Sequence, residues 1–320
     1  MRELRTQQLV GSRQSGQSRH RWLAVGLWVL GVGAASVALL GPLVIGAIRY
    51  HVSDGATNQI MGGDIAGLVL VAPLCILAGL LAWRGHRAGP VLALGPALYA
   101  LYMYSQLALG GDFIRYQGNS ERFFLLYLGL FILAGAIAIR SSKVIDPARL
   151  PSAGRRVHRT GGIFLLAVGA FLVVGLHLPG LVDAWAEQPA STEYLADPVV
   201  FWLVKFMDLG LVVPGLIVVG IGTLRGRSWS EGPKYALVGW TAVLGASVAG
   251  MAVVMQATGD PAATLANTIV FSSFALIGLV VAVLNYRYLL WRAPNERPSA
   301  HSMMTFASTE NGRERGKVGL

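Results

Sequence analysis

Residues 64–85 of the chain read DIAGLVLVAPLCILAGLLAWRG. After the opening aspartate the stretch is apolar as far as Trp83, and it ends in Arg84 and Gly85. An α-helix needs about 20 mostly apolar residues to cross the hydrocarbon core of a bilayer, and this stretch has that length. The sequence therefore predicts a transmembrane helix over residues 64–83.

Seven further stretches have the same character. The eight predicted spans are residues 22–48, 64–83, 89–109, 123–139, 161–182, 199–224, 235–256 and 265–290. The composition agrees, because 54% of the residues are hydrophobic and only 13% are charged, whereas about a quarter of a soluble globular protein is charged. These values exclude a soluble domain and a disordered chain. The single cysteine, Cys75, excludes a secreted fold held by disulfides. We predict an all-α integral membrane protein with the lipid bilayer as its surroundings.

The positive charges lie almost entirely on one side of these spans. If the N-terminus is cytoplasmic, 22 of the 26 Lys and Arg residues fall in cytoplasmic segments, while Arg49, Arg115 and Arg122 are exterior and Lys205 lies within a span. Short cytoplasmic loops retain Lys and Arg. We therefore predict that both termini are cytoplasmic and that the protein is in a bacterial-type plasma (inner) membrane. The net charge of +10 then records topology, and no nucleic-acid partner is expected.

This topology divides the chain into five parts. A cytoplasmic basic tail, residues 1–21, precedes a first four-span half, residues 22–140. A cytoplasmic basic linker, residues 141–160, leads to a second four-span half, residues 161–291, and a cytoplasmic tail, residues 292–320, follows. The two tails have no apolar periodicity, so we expect them to lack structure of their own.

An internal repeat relates the two halves. Residues 67–85 align without a gap on residues 208–226. Identical positions include Leu70 and Leu211, Val71 and Val212, Pro73 and Pro214, Ile76 and Ile217, Gly79 and Gly220, Arg84 and Arg225, and Gly85 and Gly226. The alignment favours two parallel repeats related by an axis along the membrane normal, since each half begins on the same side. Chance similarity between apolar helices is the alternative.

Pro73 and Pro214 lie inside predicted spans, where a proline removes one backbone hydrogen bond and kinks the helix. Kinks at matching positions of two halves point to a cavity between the halves. Prolines are also frequent in transmembrane helices without such a role. The cavity is therefore one of two interpretations.

Three charged residues lie below the predicted membrane surface: Asp64, Lys205 and Asp208. Charges there are costly and normally face the protein interior with partners. Asp64 opens the second span, and the alignment places it opposite Lys205, which lies one helical turn before Asp208. We predict a cluster of these three side chains in the exterior half of the bundle. Such a cluster would lock the halves together, bind an ion or small polar solute, or relay protons.

Weaker candidates lie in the third span. Tyr99, Tyr102 and Gln106 share a helical face. Tyrosines near a membrane surface are usually belt residues, so this pattern favours an aromatic belt over a vestibule lined for a ligand.

The sequence lacks several common catalytic and cofactor-binding motifs. There is no HExxH sequence, no GxSxG around a serine, no phosphate-binding loop and no dinucleotide fingerprint. His177 is the only histidine within a predicted span, and we interpret it as a packed or interfacial residue rather than a haem ligand. We expect no catalytic residues, no metal and no cofactor.

Two functions remain open from the sequence. The repeat, the two prolines and the three charges favour a transporter or permease for a small solute or ion, with its site between the halves. The alternative is a membrane sensor, anchor or assembly subunit without catalytic activity, for which a protein partner would be needed.

Overall fold

The computed structural model describes residues 2–146, 150 and 154–291, and the side chains of residues 21–146, 150 and 154–290. In this part of the chain eight helices are long and apolar enough to cross a membrane, and there are no strands. In chain order, spans one to eight are Arg21–Leu40, Asp54–Trp83, Ala88–Leu109, Ser120–Val144, Gly154–Ala184, Pro198–Leu224, Ser228–Ala257 and Leu265–Leu290. The predicted class of helical, multi-pass membrane protein is confirmed to this extent.

Most of each span is α-helical. The α-helices are Arg2–Leu40, Asp54–Ala66, Ala72–Trp83, Ala88–Leu109, Phe124–Val144, Gly154–Ala170, Leu178–Ala184, Thr192–Ala196, Pro198–Met207, Val213–Leu224, Glu231–Ala257 and Leu265–Trp291. Short 3₁₀ turns at Ser120–Phe123 and Ser228–Ser230 open spans four and seven.

Three spans contain a wide, π-helical turn. These turns are Gly67–Val71 in span two, Phe171–His177 in span five and Asp208–Val212 in span six. Each ends two residues before a proline, at Pro73, Pro179 and Pro214. A proline has no N–H to give, and its ring collides with the carbonyl four residues earlier. The preceding turn therefore widens instead of continuing as a regular α-helix.

The two largest errors in the predicted boundaries are in spans one and two. Span one ends at Leu40 instead of Ile48, because Gly41 and Pro42 break the helix and the chain turns back on itself. Span two begins at Asp54 instead of Asp64, because the Ser53 hydroxyl accepts a hydrogen bond from the Ala56 N–H and caps the helix there. Asp64 consequently lies about 15 Å along the helix rather than at its start.

The N-terminal tail also differs from the expectation, because the first helix begins at Arg2 and the backbone of residues 2–21 continues span one. The linker is shorter than predicted, since helices extend to Val144 and begin again at Gly154. The predicted tail over residues 292–320, and residues 147–149 and 151–153 of the linker, lie outside the described residues. The described residues up to Leu289 belong to one compact unit, and residues 290 and 291 fall outside it.

Two ends of the bundle are distinguished by the charges of their loops. We call the end with residues 41–53, 110–119, 185–197 and 258–264 the acidic end. The opposite end, with the described residues 84–87, 145–146, 150 and 225–227, is the basic end.

Glycines bring spans two and three against span seven. A Cβ added to Gly62 would lie 2.3 Å from the Met251 Cα, and one added to Gly95 would lie 3.0 Å from the Gly239 carbonyl carbon. Small residues allow helix backbones to approach this closely in a membrane. The two sequence halves therefore contact each other through spans two, three and seven.

Candidate functional site

Asp208 is the most completely bonded charged residue inside the bundle. It begins the wide turn of span six, is 3% exposed, and lies about 15 Å from the start of its span at Pro198. The Tyr102 hydroxyl donates to Asp208 Oδ1 at 2.8 Å, and His177 Nε2 lies 2.8 Å from Oδ2. Three spans thus meet at one carboxylate.

The tautomer of His177 follows from this contact. Because a carboxylate oxygen only accepts, His177 Nε2 carries the hydrogen. His177 is 2% exposed, and its other nitrogen, Nδ1, has no hydrogen-bond partner among the described residues. Buried polar atoms are normally bonded. The Nδ1 atom is therefore an open position in an otherwise closed network.

Lys205 makes no ion pair with Asp208 within 4.0 Å, although the two lie one turn apart. Its side chain is buried, and Nζ lies 3.2 Å from the centre of the Phe201 ring. A Cβ on Gly180 would lie 3.3 Å from Nζ, so the ammonium group packs between spans five and six. No ion pair of Lys205 within 4.0 Å occurs among the described side chains. The ammonium group thus makes a cation–π contact with the Phe201 ring.

Asp64 occupies a separate position between spans one, two and three. It is 7% exposed, and its Oδ2 atom has no hydrogen-bond partner within the described part of the chain. A Cβ added to Gly41, just past the end of span one, would lie 2.6 Å from this oxygen. Asp64 lines a cavity of about 30 Å³ together with Val37, Ala38, Tyr99 and Tyr104. A cavity of this size holds one or two water molecules.

Among the described side chains, no ion pair within 4.0 Å joins Lys205 to Asp64 or to Asp208, and the cluster of these three side chains stays a prediction. Asp208 contacts His177 and Tyr102, and Lys205 packs on Phe201. Span three is next to both carboxylates, because Tyr102 donates to Asp208 and Tyr99 lines the cavity that contains Asp64.

The polar residues of span three face the interior of the bundle. Tyr99 is 4% exposed and Tyr102 is 9% exposed, so the aromatic-belt interpretation is wrong for both. The Tyr99 hydroxyl lies 2.9 Å from Ser247 Oγ of span seven, which joins the two halves. Gln106 Nε2 is buried, with no hydrogen-bond partner among the described residues. Span three thus connects the surroundings of Asp64 with Asp208.

A second polar group closes the acidic end. His51 Nε2 lies 2.7 Å from Glu121 Oε2, and His51 Nδ1 lies 2.8 Å from the Tyr116 carbonyl oxygen. Burial alone would lower the pKa of His51, but the bonds to Glu121 and to the Tyr116 carbonyl outweigh burial, so the pKa is raised above its ordinary value of 6.5. Both partners are acceptors, so the protonated imidazolium satisfies both contacts.

Beneath this group lies a cavity of about 240 Å³ that Glu121 and Tyr127 line. Tyr50 is next to His51 in the chain, and its hydroxyl and the Tyr127 hydroxyl are both buried without a hydrogen-bond partner among the described residues. Burial, and after it the proximity of Tyr127 and Asp64, raises the pKa of Tyr50 well above its ordinary value. Tyr50 thus belongs to the acidic end itself, and Tyr127 lies in the part of span four that begins there.

The basic end holds one fully buried cation. Lys234 is 0% exposed, and its Nζ donates to Glu231 Oε2 at 3.0 Å. His158 Nδ1 lies 3.0 Å from Glu231 Oε1, so the three side chains form one group. A cavity of about 420 Å³ lies nearby, with Trp229, Gly232 and Pro233 in its lining.

Sequence reasoning named both carboxylates but missed their surroundings. His177 was the available signal, since it is the only histidine inside a predicted span, yet its partner depends on how spans five and six pack. Tyr50, Tyr127 and Ser247 carry no sequence signal, because hydroxyl residues are common near membrane surfaces. Among the described residues no group of three or more His, Cys, Asp or Glu side chains is arranged to hold a metal ion.

The chain was also compared with known proteins. No family model, no curated protein and no solved structure matches it significantly.

Proposed function

We propose that this multi-pass membrane protein is a transporter for a small solute or ion, and that the transported species is a small cation. The observation that carries the proposal is the position of two buried carboxylates beside wide helical turns. Asp208 begins the turn of span six, and Asp64 lies three residues before the turn of span two. Ionisable residues inside membrane spans usually mark ion or substrate pathways. Wide turns inside helices are likewise frequent at functional sites.

We propose in addition that the two halves arose by duplication. An offset of 141 positions carries the wide turn Gly67–Val71 onto Asp208–Val212, and the helix Ala72–Trp83 onto Val213–Leu224. The same offset carries Gly85, with φ 68°, onto Gly226, with φ 63°. Local backbone geometry thus supports the alignment of spans two and six. The wide turn of span five has no counterpart in span one, so the halves have diverged.

The site of transport would lie between these halves. Tyr102 belongs to the first half and Asp208 to the second, and Tyr99 and Ser247 are divided in the same way. Parallel repeats in known transporter folds place their sites at such an interface. A cation fits beside this interface, because Asp64 has an unbonded oxygen in a small cavity lined by spans one to three, and Tyr99 of the same cavity contacts Ser247 of the second half.

The orientation is part of the same proposal. The distribution of Lys and Arg favours a plasma membrane in which the basic end and both termini face the cytoplasm and the acidic end faces outward.

Ion flux into liposomes tests the proposal. Purified protein is reconstituted, a membrane potential is imposed, and H⁺, Na⁺ and K⁺ are followed separately with indicators trapped inside the vesicles. We expect flux of one of these cations, reduced at least about tenfold in Asp64→Asn and in Asp208→Asn. Asp54→Asn is the matched control, since Asp54 is exposed at the start of span two. Absence of flux for all three cations, or native flux in both buried variants, contradicts the proposal.

A further inference from the structure

Two neighbouring cavities lie near Asp64 and the acidic end. Glu121 and Tyr127 line the larger cavity, and Leu107 lines both this cavity and the small cavity that contains Asp64. The two cavities therefore share one lining residue. Tyr127 is 1% exposed and Tyr50 is 7% exposed. Their hydroxyls interact electrostatically with each other and with Asp64.

The surroundings of Asp64 favour one ligand. The titratable groups that face it are tyrosines: Tyr50 from the loop 41–53, Tyr99 and Tyr104 from span three, and Tyr127 from span four. Span one contributes Ala34, Val37 and Ala38, and beside Asp64 span seven contributes Ser247 and Met251 near Gly63. No described cation pairs with Asp64 within 4.0 Å. An unpaired carboxyl in mostly apolar surroundings is most stable when neutral.

We propose that Asp64 is a proton-binding group, and that its proton arrives from the acidic end through the hydroxyls of Tyr127 and Tyr50. A protonated water in the larger cavity gives its excess proton to the Tyr127 hydroxyl oxygen and is left as neutral water. The Tyr127 hydroxyl passes its own proton to the Tyr50 oxygen, the Tyr50 hydroxyl passes its own proton to Asp64, and the carboxylate becomes a carboxylic acid. Each hydroxyl ends unchanged, so the step needs only water and a proton. The proposal rests on the transport function above, because it names the cation that the site takes.

Infrared spectroscopy of the full chain in detergent tests proton binding without requiring transport. A protonated carboxyl has a C=O stretching band that a carboxylate lacks. We expect Asp64→Asn to remove one such band that titrates with pH in the native protein, while Asp54→Asn keeps it. Replacing choline in the buffer with Na⁺ should leave the band unchanged. A titrating band that persists in Asp64→Asn contradicts the proposal, and a band that Na⁺ removes indicates a metal-cation site and also contradicts it.

The route is tested by the rate at which the band appears after a proton is released from a photolabile acid. Tyr127→Phe and Tyr50→Phe should each slow its appearance at least about tenfold, because each removes one proton carrier. Tyr235→Phe is the matched control, since the Tyr235 hydroxyl is also buried and unbonded among the described residues but lies near the basic end. Native rates in both route variants, or equal slowing in the control, would refute the route.

The two proposals fail in different ways. If Asp64 gives a titrating band but no ion flux is measured, the transport function is wrong and the proton site stands. If ion flux depends on Asp64 but no titrating band is found, the proton site is wrong and the transport function stands.

Discussion

Asp208 has a hydrogen-bond partner for each carboxylate oxygen, and the two partners come from different spans. Burying a charge is costly unless it is paired and hydrogen-bonded. The contacts from Tyr102 and His177 therefore offset the free-energy cost of burying the Asp208 carboxylate. Removing one of these contacts should lower the free energy of unfolding.

Tyr102→Phe measures this contribution. We expect the free energy of unfolding in detergent to fall by about 1.5 to 3 kcal/mol, the range for a hydrogen bond to a charged group. Tyr235→Phe deletes a buried hydroxyl without a hydrogen-bond partner in the described structure and should be nearly neutral. Equal losses in the two variants would mean that the bond to Asp208 contributes nothing specific.

His51 predicts a dependence of stability on pH. Its pKa in the folded protein is raised by the contacts to Glu121 and the Tyr116 carbonyl, against the effect of burial. A raised folded pKa stabilises the fold fully below the unfolded pKa of about 6.5, and this contribution is lost as pH rises through the folded value. The native protein should therefore exceed His51→Gln in melting temperature at about pH 5.5, and the difference should shrink at about pH 8.5. A constant difference at the two pH values argues against the contact.

At the scale of helices, close packing between the halves depends on glycine. Gly62→Ala should destabilise the protein by about 1 to 3 kcal/mol, because the added methyl meets the backbone of Met251 and Gly250 instead of a movable side chain. Gly129 of span four has open space around it, and alanine there should be neutral or stabilising by up to about 1 kcal/mol. Thermal unfolding of both variants provides the comparison. If Gly62→Ala is as stable as the native protein, the close contact between spans two and seven is wrong.

The sequence predicted the spans better than it predicted where they end. Hydropathy identifies all eight spans because lipid contact demands apolar length. It fails at Ile48, since the apolar run continues past the break that Gly41 and Pro42 impose. It also fails at Asp54, where the Ser53 cap starts a helix on a polar segment. Because the helix begins at Asp54, Asp64 lies inside the bundle and not at the end of a helix.

The candidate site was predictable only as isolated residues. Asp64, Lys205 and Asp208 are conspicuous as charges within apolar spans. Their partners depend on which faces of distant spans meet, and the opposite charges of Asp64 and Lys205 in the alignment suggested a pairing that packing does not make. The prolines were more informative, since a wide turn precedes both Pro73 and Pro214, whereas Pro96 of span three lies inside a regular α-helix.

At the scale of the whole molecule, the charge asymmetry predicts an orientation that labelling in intact cells can test. Cysteine is introduced at the exposed Glu187 of the acidic end or the exposed Arg227 of the basic end. The native Cys75 is 0% exposed and should not react. An impermeant maleimide should label Glu187→Cys directly and Arg227→Cys only after permeabilisation. The reverse pattern would invert the proposed orientation.

The most direct test of a transport site between the halves is the initial rate of cation flux in the double variant Asp64→Asn with Asp208→Asn. If the two carboxylates serve one pathway, each single variant already reduces flux at least about tenfold, and the double variant is no slower than the slower single variant. Native flux in the double variant would contradict the proposed site.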